Sequence, residues 1–451
     1  ALCASLISCT IENSSSAKLG VIAKQYQKNG DLIIDRAMSD FEGYERLGEM
    51  LDTFGHRLSG SSNLEKTLEW IKDTMKKDGL ENVHGEEVMV PKWVRGREYA
   101  RMSAPWGKDL AMLGLGGSVG TGGKELEGEV LVVSNFDELK ERAKDAKGKI
   151  VLYNVPFTTY GKTVQYRYKG ASEAAKVGAI ASLVRSVGPY SMNTPHTGTS
   201  AYEDGVKKIP HAAITLEDAA MMGRMSRLGL KIKVTLYMEA RSFGDVPSQN
   251  VMGEIRGSEY PDEVIVLGGH IDSWDVGQGA HDDGGGCVAA WHAVKLIKDL
   301  GLKPKRTIRA VMWTNEENGL RGGEAYRDNY INDLDNHILA MESDAGVFKP
   351  SGFGFTGSDE AFAILQDIGT LLTKIDSGVI TKGGGGADIG PIMREGVPGM
   401  GLKVDGTRYF WYHHTAADTF DKIDKDEFNR CVATMAVMAY VVADMNDKLP
   451  R

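Results

Sequence analysis

Cysteine is scarce: the chain of 451 residues holds four. So few cysteines exclude a disulfide-stapled scaffold, and zinc–thiolate spacing is absent. Cys287 and Cys431 fall within apolar helical patterns and are expected as buried thiols. Cys3 and Cys9 can pair with each other or be removed with a leader. No apolar run reaches about 18 residues, so no membrane-spanning helix is expected. Basic residues are dispersed, with only short clusters such as Lys303 to Arg306, and the formal net charge is -9. Both features argue against nucleic acid as a partner. Internal repeats and low-complexity tracts are missing as well.

What is present is an ordinary globular composition, 42% apolar and 25% charged. The length points to two or three domains with a large core. The opening Ala1-Leu2-Cys3-Ala4-Ser5-Leu6-Ile7-Ser8-Cys9 resembles the end of a signal-peptide apolar core. Asn13-Ser14-Ser15 is an N-glycosylation sequon. Together they fit a protein that is secreted or lumenal in the secretory or lysosomal pathway; an ordinary N-terminal segment is the plainer alternative.

Helical patterns are expected over Tyr44 to Phe54 and Asn63 to Lys77, joined by a turn rich in glycine and serine, residues 55–61. Beyond Pro91 the chain becomes rich in strands, with 129–134 and 149–153 dominated by β-branched residues and a short helix over 171–177. Asp245-Val246-Pro247-Ser248 reads as a linker. Strands and helices then alternate: 264–269, 284–299, 307–313, 323–330, 337–342 and 359–374. A long helix over 427–445 follows, its methionines expected as core. The alternation implies an α/β fold with a mixed, mostly parallel sheet and helices on both faces. The α/β domain is expected over 31–100 and 243–451, interrupted by a smaller β-rich insert over 101–242.

Three of these strands end on residues that can hold a metal. The first runs into His270 and Asp272, the second into Glu316 and Glu317, the third into Glu342 and Asp344. Sites in open α/β sheets form at the carboxyl ends of strands. Two residues apart on a strand end, His270 and Asp272 face the same way, so one can ligate while the other orients it. Asp282 and Asp283 precede a helix, where a carboxylate can bridge two ions or merely cap. Glu316 and Glu317 point apart in an extended segment, so one can ligate and the other act as a base. His413 and His414 are both candidate ligands. His281 is a ligand by type, although its neighbour Asp282 points one way and it another. A lone strand-end Asp is usually a turn former, and an acidic pair is usually solvated surface. The set of His270, Asp282, Glu317 and Asp344 with a late histidine is far more specific and suits zinc.

These residues resemble the co-catalytic zinc aminopeptidase family, and within it the carboxypeptidase branch. The likeness is carried by 269–280, Asp282-Asp283-Gly284-Gly285-Gly286, Trp313-Thr314 before Glu316-Glu317, Met341 to Gly346, and His413-His414. Asp52 to Ser61 and Thr163-Val164-Gln165-Tyr166-Arg167 match too. The resemblance implies two zinc ions bridged by Asp282. His270 and Asp344 would complete one site, Glu317 and His414 the other. It makes Glu316 the general base of a zinc-activated bridging water, and has Asp272 orient His270. His413 stands where many relatives have a tyrosine that donates to the reaction intermediate. Three carboxylates and one hydroxide balance two divalent ions, so such a centre can be buried.

By the same resemblance the Asp282–Asp283 peptide is cis and the insert is a protease-associated domain. A leader or propeptide covers 1–30, and the chain forms a homodimer. The implied reaction is hydrolysis of small unblocked peptides, chiefly dipeptides. An aminopeptidase on longer peptides, with Asp388 meeting the amino group, is the rival. A non-catalytic receptor on the same scaffold is a second.

Overall fold

The computed structural model describes residues 20–451. Cys3, Cys9 and the sequon at Asn13 lie outside the described residues. Two mixed eight-stranded sheets organise the chain. The first runs, edge to edge, through Glu81–Val94, Arg241–Ile255, Arg306–Trp313, Tyr260–His270, His337–Glu342, Gly399–Val404, Pro350–Thr356 and Val379–Lys382. Its centre is parallel: Tyr260–His270 pairs in parallel with strands on both sides, and His337–Glu342 pairs in parallel with Gly399–Val404. The expected mixed α/β sheet is therefore present. Helices cover both faces. Gly285–Asp299 and Lys425–Asp444 pack on one side with Cys287, Cys431, Met435 and Met438 in the core. Arg321–Tyr330 and Gly390–Arg394 cover the other, around Trp313, Tyr326 and Ile392.

The second sheet uses residues 98–238. It is less purely β than its sequence suggested. Tyr160–Lys176 is helical over its whole length, not only from residue 171, and Leu216–Arg227 forms another helix. These helices bury alanines and methionines on a four-strand parallel core, Leu126–Val133, Ile150–Tyr153, Ala181–Arg185 and His211–Ile214.

Two further readings change. The expected linker at 245–248 lies inside the strand Arg241–Ile255, with Val246 paired to Val90 and Pro247 to Met89. Only residues from Val251 onward pair on the other side, with Arg306–Trp313. Pro247 thus occupies a stretch with one free flank, where its missing N–H costs nothing. A boundary at residue 31 falls within the helix Val21–Ser39, whose Ala23, Tyr26, Ile33 and Ile34 are buried in the main core.

The last seven residues of the strand that carries His270 are buried, and the packing leaves no room for a side chain at Gly268. A Cβ on Gly268 would stand 1.9 Å from the Val311 carbonyl oxygen and 2.7 Å from the Trp313 ring. Both neighbours are held in the adjacent strand, so neither can yield. Gly268→Ala is expected to cost at least about 1–3 kcal/mol, the scale of overpacking. Thermal unfolding should show a melting temperature lower by several degrees; an unchanged one would contradict this packing.

Candidate metal centre

At the end of its strand His270 is 1% exposed. Its Nδ1 lies 2.9 Å from the Asp272 backbone oxygen. An Nδ1–H donated there leaves the Nε2 lone pair free, pointing at Asp282 Oδ1 and Asp344 Oδ1, each 3.3 Å away. Asp272 thus meets His270 through its carbonyl; its carboxylate stands 3.8 Å from Nδ1. That carboxylate instead accepts the backbone N–H of Glu316 at 3.0 Å and of Glu317 at 3.3 Å, and the Ser59 hydroxyl at 3.1 Å. One side chain thus ties two strand ends together. The segment that includes Ser59 also supplies Arg57. Fully buried, Arg57 donates to the carbonyls of Ile271, Gln278 and Gly279 and clamps the loop after His270.

Asp282 lies at the turn leading into Gly285–Asp299, and its peptide bond to Asp283 is cis. Its two oxygens face opposite imidazoles. Oδ1 is 3.3 Å from His270 Nε2, and Oδ2 is 3.3 Å from His414 Nε2. Oδ2 is buried without a hydrogen-bond partner. The turn is held by Asp418, which accepts the N–H groups of His281 and Asp282 at 2.8 and 3.2 Å. Asp283 faces away, capping the helix through the Gly286 N–H. His281 does point elsewhere: its ring stacks on Phe348, and its Nδ1 accepts from the Val347 N–H.

Glu317 Oε2 lies 3.0 Å from His414 Nε2, and its other oxygen accepts the Trp274 N–H. Among the described residues Glu316 has no side-chain hydrogen-bond partner, and it faces a cavity of about 330 Å³, with Asp282, Glu317, Asp344, His413 and His414. Donor atoms cluster into two groups that share Asp282. One is His270, Asp282 and Asp344; the other is Asp282, His413 and His414. The second group holds His413 where Glu317 was expected. His413 Nε2 stands 3.8 Å from Asp282 Oδ2, against 3.0 Å between Glu317 and His414. Charge also favours Glu317, since an anion offsets a cation and an imidazole does not. The rings of His413 and His414 stack at 3.5 Å.

Protonation equilibria reflect this crowding. Burial, then the Asp282 charge, pushes Glu317 well above the usual carboxyl range. Burial, with the Asp344 and Asp272 charges outweighing His270, pushes Glu316 up to about 8. Burial alone would lower the His270 pKa, but the Asp344 and Asp282 contacts raise it well above normal. A proton there takes the place of a cation among the carboxylates. Two imidazoles with lone pairs aimed inward, an orphaned carboxylate oxygen between them and surplus buried anions form a donor set that fits divalent metal. Burial drives His413 the opposite way, to about 3, so its imidazole is neutral near neutral pH.

Several residues at the site were given no role there by the sequence reading, although Arg167 was part of a matching motif. Tyr160 and Arg167 reach the cavity from the insert's helix, and Thr199 from a loop of the same sheet. Thr197, also from that loop, brackets His414: its N–H donates to the His414 carbonyl at 2.9 Å, and its own carbonyl lies 3.2 Å from His414 Nδ1. Tyr409 lines the cavity one helical turn before His413, a spacing that local periodicity could have revealed. Tyr412 instead stacks on His281. Asp388 is buried beside Glu342 with no hydrogen bond to either oxygen; it neither caps a helix nor lines the cavity. A cleft of about 400 Å³ at the opposite end of the parallel strands has its Arg309 already paired with Glu254 at 2.8 Å.

Comparison with known proteins bears on the family and the fold. A model of Peptidase family M28 matches residues 250–439. Carboxypeptidase Q of Mus musculus is 51% identical over 408 residues, 90% of this chain and 87% of that protein. A peptidase M28 precursor from Shewanella amazonensis superposes with a TM-score of 0.91 at 32% identity, over 95% of this chain and 99% of its own. A zinc aminopeptidase from Bacillus subtilis shares the fold, with a TM-score of 0.68 at 20% identity over 90% of this chain and 96% of its own. With half its residues identical to such a relative over nine-tenths of its length, the chain belongs to peptidase family M28.

Proposed function

We propose that the chain is a two-zinc exopeptidase that hydrolyses short unblocked peptides, chiefly dipeptides. The carrying observation is the Asp282 carboxylate, whose oxygens face His270 on one side and His414 on the other. His270 and Asp344 would hold one ion, Glu317 and His414 the other, with Asp282 between. Zinc bound there would supply Lewis acidity and a water acidic enough to react near neutral pH. Glu316 accepts the proton of the attacking water and passes it to the leaving amine. Its N–H is fixed on Asp272, which holds the base at the cavity wall. Burial keeps the His413 imidazole neutral, so one ring N–H can donate to the developing oxyanion without dependence on ordinary pH.

A cavity of about 330 Å³ supports short substrates, since it stands near the lower limit for small-molecule sites. The carboxypeptidase name of the Mus musculus relative supports grip on a carboxyl end. An aminopeptidase reading that relies on Asp388 finds less support, because that residue does not line the cavity. A secretory or lysosomal location, a homodimer and a protease-associated insert belong to the same reading and rest on the sequence resemblance.

Glu316→Gln should keep its zinc, measured by elemental analysis, while turnover of a dipeptide falls by about 100-fold to 10,000-fold, the range for a lost general base. Near-normal turnover would sink the mechanism. A panel of dipeptides should be hydrolysed by zinc-loaded protein and spared after chelation. N-acylated dipeptides should be poor substrates; equal rates on blocked and free forms would refute the preference for unblocked peptides.

Acidity gives a separate check on the metal-free protein. Burial pushes Glu316 and Glu342 up to about 8, whereas unfolded glutamates ionise near about 4.3. The native state then holds more protons between those values. The associated stability is present at low pH and is lost as pH rises through about 8. Metal-free protein should melt lower at about pH 8.5 than at about pH 5.5, and zinc should raise the melting point more at the higher pH. A zinc effect of the same size at both pH values would overturn this.

A further inference from the structure

Arg167 is a cation without an anion. Its side chain is 5% exposed and lines the cavity. Among the described residues no carboxylate forms an ion pair with it. Its titratable neighbours are Tyr160, His196, His211, His413 and His414; burial is the main cause that lowers the pKa values of the four imidazoles, and the Arg167 charge adds to it. A guanidinium carries five N–H groups. Nη1 donates to the Thr197 carbonyl at 3.3 Å and Nη2 to the Tyr160 hydroxyl at 2.9 Å. Among the described residues Nε has no partner. Nη1 also lies 3.3 Å from His414 Nδ1. If that nitrogen gives its hydrogen to Thr197, it has no lone pair to offer, and this contact is not a hydrogen bond. Most of the fork is thus left without an acceptor in a buried site, an arrangement costly to maintain unless a ligand completes it.

The surroundings shape the fork as a cradle. A Cβ on Gly198 would stand 2.2 Å from Nη1, so the loop lies flat against the guanidinium because that residue has no side chain. The Tyr160 ring packs beside it, with the guanidinium carbon 5.6 Å from its centroid. Tyr160 accepts from Arg167, which leaves its own hydroxyl hydrogen to point to a second acceptor.

Resting on the exopeptidase reading, we infer that Arg167, with Tyr160, binds the free α-carboxylate of the peptide substrate and so sets the enzyme's preference for a free carboxyl end. Arg–carboxylate pairs are commonly bidentate, which fixes orientation as well as adding affinity. Distance selects the α-carboxylate over a side-chain one. Arg167 stands one imidazole ring from the His414 Nε2 that faces Glu317 and Asp282. The group it meets must therefore lie a few bonds from the carbonyl under attack. The carboxylate of the residue just beyond the scissile bond is three bonds from that carbon. The residue comes from the insert, so the insert would supply specificity to chemistry carried by the main sheet.

The test compares kcat/KM for three substrates with zinc-loaded wild type, Arg167→Met and Arg167→Lys. They are a dipeptide with a neutral C-terminal residue, its C-terminal amide, and an amide whose C-terminal residue is glutamate. Wild type should favour the free acid over the neutral amide by about 100-fold, the scale of a lost buried charge pair. The ratio should fall towards one in Arg167→Met and lie between in Arg167→Lys, which keeps the charge but loses the fork. Where turnover is too slow to measure, calorimetric titration with a free amino acid against its amide reads the same ratio. A wild-type ratio near one, or a ratio that survives Arg167→Met, overturns the assignment. So does full rescue by the glutamyl amide, which would make the group a side-chain carboxylate site. Wild type that hydrolyses neither acid nor amide, yet binds the free amino acid selectively through Arg167, would overturn the exopeptidase reading while leaving Arg167 as a carboxylate-binding site.

Discussion

The structure depends on a surplus of negative charge at one buried place. Asp272, Asp282, Asp283, Glu317 and Glu342 are all nearly inaccessible, and Glu316 and Asp344 look onto the same cavity. Of the potential cations nearby, Arg57 is engaged with backbone carbonyls, Arg167 lies on the far side of His414, and burial holds the His413 and His414 imidazoles neutral, which leaves His270. Uncompensated, such charges cost several kcal/mol each, or else are neutralised by protons. The raised pKa values of Glu316, Glu317, Glu342 and Asp388 are that neutralisation. The sheet, the loop clamp and the helix beneath Asp282 hold the anions together despite their repulsion. That expense makes sense only if something positive belongs between them.

Compensation requires geometry as well as sign. His270 and His414 each offer Nδ1 to a backbone carbonyl, Asp272 in one case and Thr197 in the other. A carbonyl cannot give up a proton, so it settles the tautomer more firmly than a titratable carboxylate would. The two imidazoles are thereby turned inward by different parts of the chain. One depends only on the main sheet. The other depends on a loop of the second sheet, so the donor set is complete only when both sheets are in place. Further ties join them at the same spot: His196 lies 2.8 Å from the His413 carbonyl, and Arg95 is paired with Asp275. The insert is therefore part of the centre.

The main sheet and most of the donor set were legible in the sequence because both follow local rules. Parallel strands buried on both faces read as apolar runs, and their carboxyl ends are where sites form. That located His270, Glu316, Glu317 and Asp344, and the turn before a helix located Asp282. The helix Val21–Ser39 and the strand through Asp245 to Ser248 were not legible. The helix begins inside the segment read as a leader or propeptide, and the strand contains a proline tolerated only because one flank is unpaired before Val251. The insert's role at the site was hidden for a different reason. Thr197 and His414 are 217 positions apart, and Arg167 and His414 are 247 apart. No periodicity reports a contact of that range. Thr163 to Arg167 stood out as a motif in the sequence, but nothing local connected it to the histidines.

That separation bears on how one centre can serve different substrates. The groups that would hold metal and move protons come from strand ends fixed by the buried sheet, where Gly268 admits no side chain and Asp272 ties two strands. Such positions tolerate little change. The groups that border the rest of the cavity, Tyr160, Arg167 and Thr199, come from a helix and a loop of the other sheet. These elements can vary without disturbing the strand ends, provided Thr197 still meets His414. Under the proposed reading, chemistry and selectivity would be carried by different sheets that share a hydrogen-bonded seam. The seam at His414 then limits how far the selective side can drift, because a change that moved Thr197 would release an imidazole of the centre.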